Sequence, residues 1–368
     1  MKTLMKMKIF KKIIPLFLLV IFICMPVLAQ ELNENSAQNS YEGKVIMVIE
    51  EYENPNGGYY QKLEIQLIDR TVQVEHGIAD SPSTQKFSKN DLVVLTGYTD
   101  TDGNEYFFID DYVRRSNLLS LFIIFLALSI LVAGKRGITS LIGMFLTFFF
   151  IFWLVLPKIS SGSNPFLVIL LFSLIAIPIT FYLSHGFNSK TNAAIVGTFI
   201  ALLVTILLAS IYVNSAKLTG FISDEASFLQ LAKGGVINMR GILLAGIIIG
   251  VLGVLDDITV SQSAIVFQLK SANTRLSFSE LFVRAMDVGK DHIASMVNTL
   301  ILVYAGASLP LLLLFTDSSR TFGSVINYEI IASEVVRTLI GSIGLILAVP
   351  ITTAIAAVMA DSGEMGRG

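Results

Sequence analysis

The sequence predicts a membrane all-α polytopic bundle of about seven transmembrane helices, preceded by a small extracytoplasmic β-barrel of OB-like type. Of the 368 residues, 54% are hydrophobic and only 15% are charged, which is typical of membrane proteins rather than soluble domains. Long apolar runs fill residues 117–368, and shorter runs with strand-like alternation fill residues 41–116. Two domains of different kinds are therefore expected.

The N-terminus has the pattern of an export signal. Five lysines within residues 1–12 precede an apolar run, and the small residues Val27 and Ala29 stand where a signal peptidase requires them. Residues 1–29 are accordingly predicted to be a signal peptide, and the alternative is an uncleaved anchor of the same orientation. Residues 30–40 are polar and are predicted to be a flexible tether.

Residues 41–116 are predicted to form the β-barrel. Five runs of β-branched and aromatic residues are separated by turn signals, and Leu63, Ile65 and Leu67 alternate with polar residues as in a half-buried strand. Five short strands in so small a segment favour an OB-like barrel. Some barrels of this type bind nucleic acid, but the net charge of −2 and the predicted export argue against that partner.

Seven apolar runs are long enough to span a bilayer. They cover residues 118–134, 138–157, 165–183, 192–213, 241–258 with a possible extension to 269, 293–315 and 335–360. Basic residues between the runs favour a cytoplasmic location for residues 134–137, 184–190 and 270–290. The barrel and residues 214–240 are then extracytoplasmic.

The fifth run contains two adjacent carboxylates, Asp256 and Asp257, in the stretch "LDDITVSQS" at 255–263. If the helix ends near Leu255, both are solvated residues at the cytoplasmic border. Apolar residues continue to Leu269, however, so a discontinuous or buried helix would hold the carboxylates at membrane depth, where ionisable groups mark ion or proton paths. Because neighbouring side chains on a helix diverge by about a hundred degrees, both face one cavity only if the backbone is irregular there.

The sixth and seventh runs contain further polar residues. His292, Ser295 and Thr299 share one helix face with Asn298 on its flank, and the alternative to a ligand is hydrogen bonding between helices. In the last run, Pro350 is followed by two threonines, a combination that frees a carbonyl and lines cation sites in transporters. A simple helix kink is the alternative.

Three stretches together resemble the YibE/F family of polytopic bacterial membrane proteins. They are "GVLGVLDDITVSQSAIVFQL" at 250–269, "DHIASMVNTLILVYAGASLPLLLL" at 291–314 and "ASEVVRTLIGSIGLILAVPITT" at 332–353. The resemblance extends from Asn117 to the C-terminus. It implies a multi-spanning bacterial cell-membrane protein, often described as transporter-like, and it brings no catalytic residues.

The leading functional prediction is a transporter or permease with an ion- or proton-linked polar site. That site comprises Asp256, Asp257, Thr259, Ser261, Gln262, His292, Ser295, Asn298, Thr299, Thr352 and Thr353. The alternative is a scaffold whose exported barrel binds an envelope partner. An intramembrane enzyme is disfavoured because no histidine pair, nucleophile elbow or suitable cysteine is present, although a carboxylate-pair protease stays a formal possibility.

No cofactor and no metal are expected, because only three histidines and one cysteine are available as ligands. The expected partners are the lipid bilayer, a small ion or solute, and an envelope or membrane protein or a second copy of the chain. No nucleic-acid partner is expected.

Overall fold

The computed structural model describes residues 39–53, 58–77, 85–100, 103–316 and 321–362. Two compact units are present, one ending at Phe125 and one beginning at Leu126. The predicted signal peptide lies outside the described residues, as does the predicted tether up to residue 38. Asn39 and Ser40, the last residues of that tether, already belong to the first strand.

The first unit contains five antiparallel strands, which we call the half-barrel. They are β1 (Asn39–Glu53), β2 (Tyr59–Gln66), β3 (Thr71–His76), β4 (Leu92–Thr99) and β5 (Glu105–Tyr112), in the order β3-β2-β1-β4-β5. The long strand β1 is shared, since Lys44 pairs with Gln66 of β2 and with Leu92 of β4. Two register shifts in the pairing of β1 with β2 bend the sheet. The predicted small β-domain is thus confirmed as an antiparallel half-barrel.

Alternating side chains fill the concave side of the half-barrel. Leu63, Ile65 and Leu95 are fully buried, as the period of two predicts. The buried amide of Gln61 holds the segment before β4 against this core, because it donates to Phe87 O (2.9 Å) and accepts from Phe87 N (2.8 Å). A polar side chain is tolerated there because both of its hydrogen-bonding groups are satisfied.

After β5, the described part of the chain is mainly helical. Its elements are α1 (Arg115–Phe150), a π-helical turn (Ile151–Val155), α2 (Leu156–Ser160), α3 (Pro165–His185), α4 (Ser189–Ser215), α5 (Asp224–Ala232), α6 (Met239–Ala272), α7 (Phe278–Ala307), α8 (Leu309–Thr316), α9 (Phe322–Val325) and α10 (Glu329–Asp361). Among the described residues, five stretches are long and apolar enough to cross a membrane: 115–160, α3, α4, α6 and α10. Seven spans were predicted, and two differences explain the lower number.

The first difference lies at residues 134–137, which were predicted as a loop between two spans. The structure has no loop there but a sharp kink at Gly134, whose backbone (φ 57°, ψ −130°) is not helical. The chain bends so strongly that an added Cβ on Gly137 would lie 2.3 Å from Ser129 O. The first two predicted spans are therefore the two arms of one kinked helical stretch.

The second difference lies in the predicted span 293–315. Helix α7 ends at Ala307, Ser308 leaves the helical conformation, and α8 begins at Leu309 with Pro310 in its first turn, where a missing N–H is tolerated. The apolar run is thereby divided. The charged and polar residues of α7 also keep it outside the group of five apolar stretches.

Helices α4, α6 and α10 pack against one another and form the centre of the second unit, with α3 and α7 beside them. Glycines permit this close packing. An added Cβ on Gly344 of α10 would lie 2.5 Å from Thr205 Oγ1 of α4, and one on Gly197 of α4 would lie 2.3 Å from Thr352 Oγ1 of α10. At these two points α4 and α10 pack closely through a glycine of one helix and a threonine hydroxyl of the other.

Candidate functional site: a buried polar seam

Five fully buried polar side chains meet where α4, α6 and α10 pack together. This polar seam consists of Thr198, Thr259, Gln262, Thr352 and Thr353. Burial of a polar group is unfavourable unless it forms a hydrogen bond. A polar atom of the seam that has no partner is therefore available to bind a ligand.

Gln262 of α6 is the centre of the seam. Its Nε2 donates to the carbonyl of Ala285 in α7 (2.8 Å) and to Thr353 Oγ1 in α10 (2.8 Å). The amide fits between the helices because Gly289 of α7 has no side chain: an added Cβ there would lie 3.0 Å from Nε2. Gln262 Oε1 is also buried, but no described residue donates to it. The amide thus has both donors in use and its acceptor free.

The pair Thr198 and Thr259 links α4 to α6, with 2.7 Å between the two Oγ1 atoms. Each hydroxyl also lies within hydrogen-bond distance of a carbonyl of its own helix, at 2.9 Å for Thr198 and 2.8 Å for Thr259. Two hydroxyl hydrogens cannot fill three contacts, since each hydroxyl donates only one. When one hydroxyl donates to the other, it leaves its own carbonyl without that hydrogen bond; either hydroxyl can be this donor, and rotation of the hydroxyls exchanges the two arrangements.

Thr352 contributes the second free acceptor. Its Oγ1 is buried against Gly197 and has no hydrogen-bond partner among the described residues. Leaving such a group unsatisfied costs about 1–3 kcal/mol. With Gln262 Oε1, the seam holds two buried oxygens without a partner among the described residues, and a water molecule or a small cation could satisfy each of them.

The two carboxylates lie on a continuous helix and differ in their burial. Helix α6 continues without interruption from Met239 to Ala272, so the hypothesis of a discontinuity at this point is wrong, as is the alternative that the helix ends near residue 255. Asp256 is half-buried at the edge of the packed face, whereas Asp257 is exposed, as is Ser261 one turn later. A regular helix turns adjacent side chains about a hundred degrees apart. The Asp257 side chain interacts electrostatically with His185, the last residue of α3.

The polar residues of α7 also lie outside the seam. His292 is half-buried, and its buried Nδ1 has no partner among the described residues. Ser295, Asn298 and Thr299 are exposed and face away from the other helices, with Thr299 Oγ1 donating only to Ser295 O (3.0 Å). Of the eleven residues predicted for the site, the structure therefore brings together Thr259, Gln262, Thr352 and Thr353 and places Asp256 at their edge. The other six make no hydrogen bond to the seam.

Sequence reasoning missed the contributions of α4 and of the glycines. Thr198 and Gly197 were not selected, although a signal existed: Thr191, Thr198 and Thr205 recur every seven residues on one face of α4, and all three are buried. Gly289 could be recognised only from its contact with Gln262, which is 27 positions away in the sequence.

Across the described ranges, no group of three His, Cys, Asp or Glu side chains is arranged to hold a metal ion. The expectation that the protein uses no metal remains a prediction.

Comparison with known proteins gives one match. The family model described as YibE/F-like protein matches residues 121–362, a range that includes every residue of the seam. Searches of the curated proteins and of the solved structures each found no match.

Proposed function

The chain belongs to the YibE/F-like family, and on that premise we propose that it is a multi-pass membrane protein acting as a transporter or permease for a small ion. The five long apolar helical stretches support insertion into a bilayer. We place it in the bacterial cell membrane with the half-barrel extracytoplasmic, because the basic residues at the kink of α1 and between α6 and α7 favour that orientation.

The observation that carries the proposal is the pair of free acceptors in the seam, Gln262 Oε1 and Thr352 Oγ1. A membrane anchor gains nothing from buried, unsatisfied polar atoms, whereas transport proteins keep polar groups at membrane depth because these groups line the path. Gln262 Oε1 can only accept and the Thr352 hydroxyl can accept as well as donate, so both oxygens can act as ligands of a small cation or of protonated water. A cation or a proton is therefore the proposed cargo or coupling ion.

Asp256 is the proposed entry point. It lies on α6 one turn before Thr259 and is half-buried at the edge of the packed face. A carboxylate in that position would attract a cation and offset its charge before the ion reaches the neutral oxygens of the seam. The Thr198–Thr259 pair, which has two donor arrangements, lies between Asp256 and Gln262 along the helix and could pass a proton or reorient around an ion.

Flux measured in proteoliposomes with a panel of cations and anions tests this function. We expect cation or proton flux above that of empty liposomes, lowered at least tenfold by Gln262→Leu. Ser173→Ala is the matched control, because Ser173 is equally buried in α3 but donates only to its own helix (Ser173 Oγ to Ile169 O, 2.8 Å). Full flux in a correctly folded Gln262→Leu variant would sink the proposal. No catalytic step and no cofactor belong to it.

A second candidate function is a scaffold whose half-barrel binds an envelope partner. It is favoured by an outward-facing aromatic cluster of Tyr98, Tyr106 and Phe108, which are 42%, 52% and 53% exposed. The Tyr98 and Phe108 rings also contact each other edge to face at 5.7 Å. Exposed aromatic clusters of this kind mark interaction surfaces. If this candidate holds, Tyr106→Ser with Phe108→Ser abolishes the cellular role while Gln262→Leu leaves it intact.

The half-barrel is further proposed to be of OB type. In such barrels the first strand is shared between two halves and the outermost strands approach each other. Strand β1 is shared here, and Arg70, just before β3, forms an ion pair with Glu105 of β5. Hydrogen-exchange protection of the β3 and β5 backbone in the intact protein would support this closure.

A further inference from the structure

Two buried polar atoms of neighbouring helices have no partner among the described residues. They are Gln262 Oε1 of α6, which belongs to the seam, and His292 Nδ1 of α7. A buried polar atom is normally hydrogen-bonded, either to protein or to an ordered water molecule. The positions of these two atoms therefore decide whether one ligand can serve both.

His292 lies on the side of α7 that packs against Gln262. The carbonyl of Ala285 accepts from Gln262 Nε2 (2.8 Å), and Gly289 leaves room for the same amide. His292 follows them by seven and three residues, so the three positions fall within about 60° of one another around the helix. His292 is accordingly half-buried, whereas Asn298 on the other side of α7 is exposed.

Gly289 places no side chain between the imidazole and the amide. An added Cβ on Gly289 would lie 3.2 Å from Gln262 Oε1. Cβ positions three residues apart on a helix are separated by about 5–6 Å, and a helical side chain leans back toward the preceding turn. The His292 ring therefore leans toward the amide. The two atoms make no direct hydrogen bond, and a single water molecule bridges polar atoms that are about 5 Å apart.

We propose that His292 Nδ1 and Gln262 Oε1 hold one water molecule between them, and that the seam binds a proton through His292. The inference rests on the proposed function, in which the seam is the ion path, and it names the proton as the ion. A hydronium ion gives one proton to Nδ1 of the neutral ring, which leaves water and an imidazolium. The new Nδ1–H donates to that water, and the water donates to Gln262 Oε1.

The chemistry of the two groups favours a proton over a metal cation. An imidazole takes up and releases a proton near neutral pH, and an amide oxygen accepts the hydrogen bond that results. Hard divalent cations take six or more oxygen ligands, whereas the seam offers two oxygens without a partner. Because His292 is only half-buried, its ring also joins the interior of the packing to the edge.

The charged groups around His292 lie on α6 and on α7 itself, because α10 has none between Arg337 and Asp361. They are Asp256, Asp257 and Lys270 on α6, and Arg284, Asp287, Lys290 and Asp291 on α7. The four on α7 are exposed, and Lys270 is held by Asp361. These charges also influence protonation of the ring, so the decisive variants must leave all of them in place.

Solid-state ¹⁵N NMR of the full chain in liposomes tests the shared water. The sequence has three histidines, so His76→Gln with His185→Gln leaves His292 as the only labelled ring. The measured quantity is the ratio of doubly protonated to neutral imidazole at about pH 6.5. Gln262→Leu removes the acceptor without changing a charge. Asn298→Leu is the matched control, because it makes the same replacement of an amide at an exposed position of α7.

We expect Gln262→Leu to lower this ratio at least about threefold, because the imidazolium loses its acceptor. Gln262→Glu should raise the ratio at least about threefold, because a carboxylate favours the charged ring. Asn298→Leu should leave it unchanged. Opposite changes in two variants of one residue cannot come from a loss of fold, which would expose the ring to water in both.

Proton flux in proteoliposomes is the second readout, and His292→Gln should lower it at least tenfold. Equal ratios in Gln262→Leu and Asn298→Leu would overturn the shared water. Sodium or potassium flux that persists in His292→Gln, with no proton flux in the unaltered chain, would overturn the choice of the proton and leave transport intact. A response of the imidazole to Gln262→Leu in a chain that carries no ion would support the proton site and contradict the transport function alone.

Discussion

Gly197→Ala is the substitution that examines the packing of the seam most sharply. The new Cβ would lie 2.3 Å from Thr352 Oγ1, 3.0 Å from Thr352 Cβ and 3.2 Å from Thr352 Cα. Rotation of the threonine side chain relieves only the first contact, since the other two involve atoms that rotation does not move. Helices α4 and α10 must therefore separate.

The expected effect combines two opposing terms. Alanine is better than glycine in a helix by about 1 kcal/mol, and overpacking a tight core costs about 1–3 kcal/mol. Their sum predicts that Gly197→Ala lowers the free energy of unfolding by up to about 2 kcal/mol. Gly253→Ala should instead be neutral or stabilising by up to about 1 kcal/mol, because an added Cβ there has no neighbour within 4 Å.

Unfolding by dodecyl sulfate titration in mixed micelles measures the difference between these two variants. Thr352→Ala provides the second arm of a double-mutant cycle, since it removes the atom that is only 2.3 Å away and should make Gly197→Ala less harmful. Equal tolerance of Gly197→Ala and Gly253→Ala, with no coupling to Thr352, would refute the close packing of α4 on α10.

Three further predictions concern charged groups outside the seam. A hydrogen bond from Arg114, together with one from a neighbouring backbone N–H, lowers the pKa of Asp111 from 3.8 to about 2. The carboxylate therefore stabilises the half-barrel above pH 4, and this contribution is lost as the pH falls through about 2. Amide exchange of the half-barrel in the full chain should accelerate over that pH range, and Asp111→Asn should make the acceleration smaller. Lys270 is buried at the end of α6 and forms an ion pair with Asp361 at the end of α10 (2.9 Å). Asp361→Asn should therefore lower the free energy of unfolding, measured by the same micelle titration, by about 1–2 kcal/mol. Lys270→Met should lower it less, because that variant leaves no buried charge without a partner. Glu329 accepts hydrogen bonds from two backbone N–H groups in the loop after α4, and Glu329→Ala should speed amide exchange of that loop at least tenfold while exchange in α4 itself stays unchanged.

Local pattern was sufficient to predict most of the elements. Alternation placed Leu63 and Ile65 in the core of a strand, and both are fully buried. Apolar runs located α3, α4, α6 and α10, whose ends differ from the predicted ends by up to about fourteen residues. Helix starts carry a visible signal, since Asn188 before α4 and Ser277 before α7 cap the first turn with their side chains.

The two breaks in the helical pattern were harder to predict because the local sequence is ambiguous there. The lysine and arginine after Gly134 indicate a loop, but one residue with a positive φ is enough to turn the chain. At Ser308 the flanking residues are as apolar as in any span, and only Pro310 indicates that a helix begins again.

The site could be predicted only in part, because its contacts join residues far apart in the sequence. Thr198 meets Thr259 across 61 positions, and Gln262 meets Thr353 across 91 positions. Polarity within an apolar run selected Thr259, Gln262 and Thr353, which the structure brings into the seam. It could not distinguish them from Asp257 and Ser261, which are exposed on the opposite side of the same helix. Which side of the helix is buried depends on the packing of the other helices.

The central claim is that the seam is a path for a cation or proton, and the accessibility of Thr352 tests it most directly. In a Cys24→Ser background, which removes the single cysteine, the Thr352→Cys variant in liposomes is treated with a water-soluble cationic thiol reagent. Thr205→Cys is the control, because Thr205 is similarly buried between α4 and α10 but its hydroxyl donates to a carbonyl of its own helix (2.7 Å). The account predicts that Thr352→Cys reacts at least tenfold faster than Thr205→Cys and that the reaction blocks flux. Equal protection of both cysteines while flux continues would contradict it.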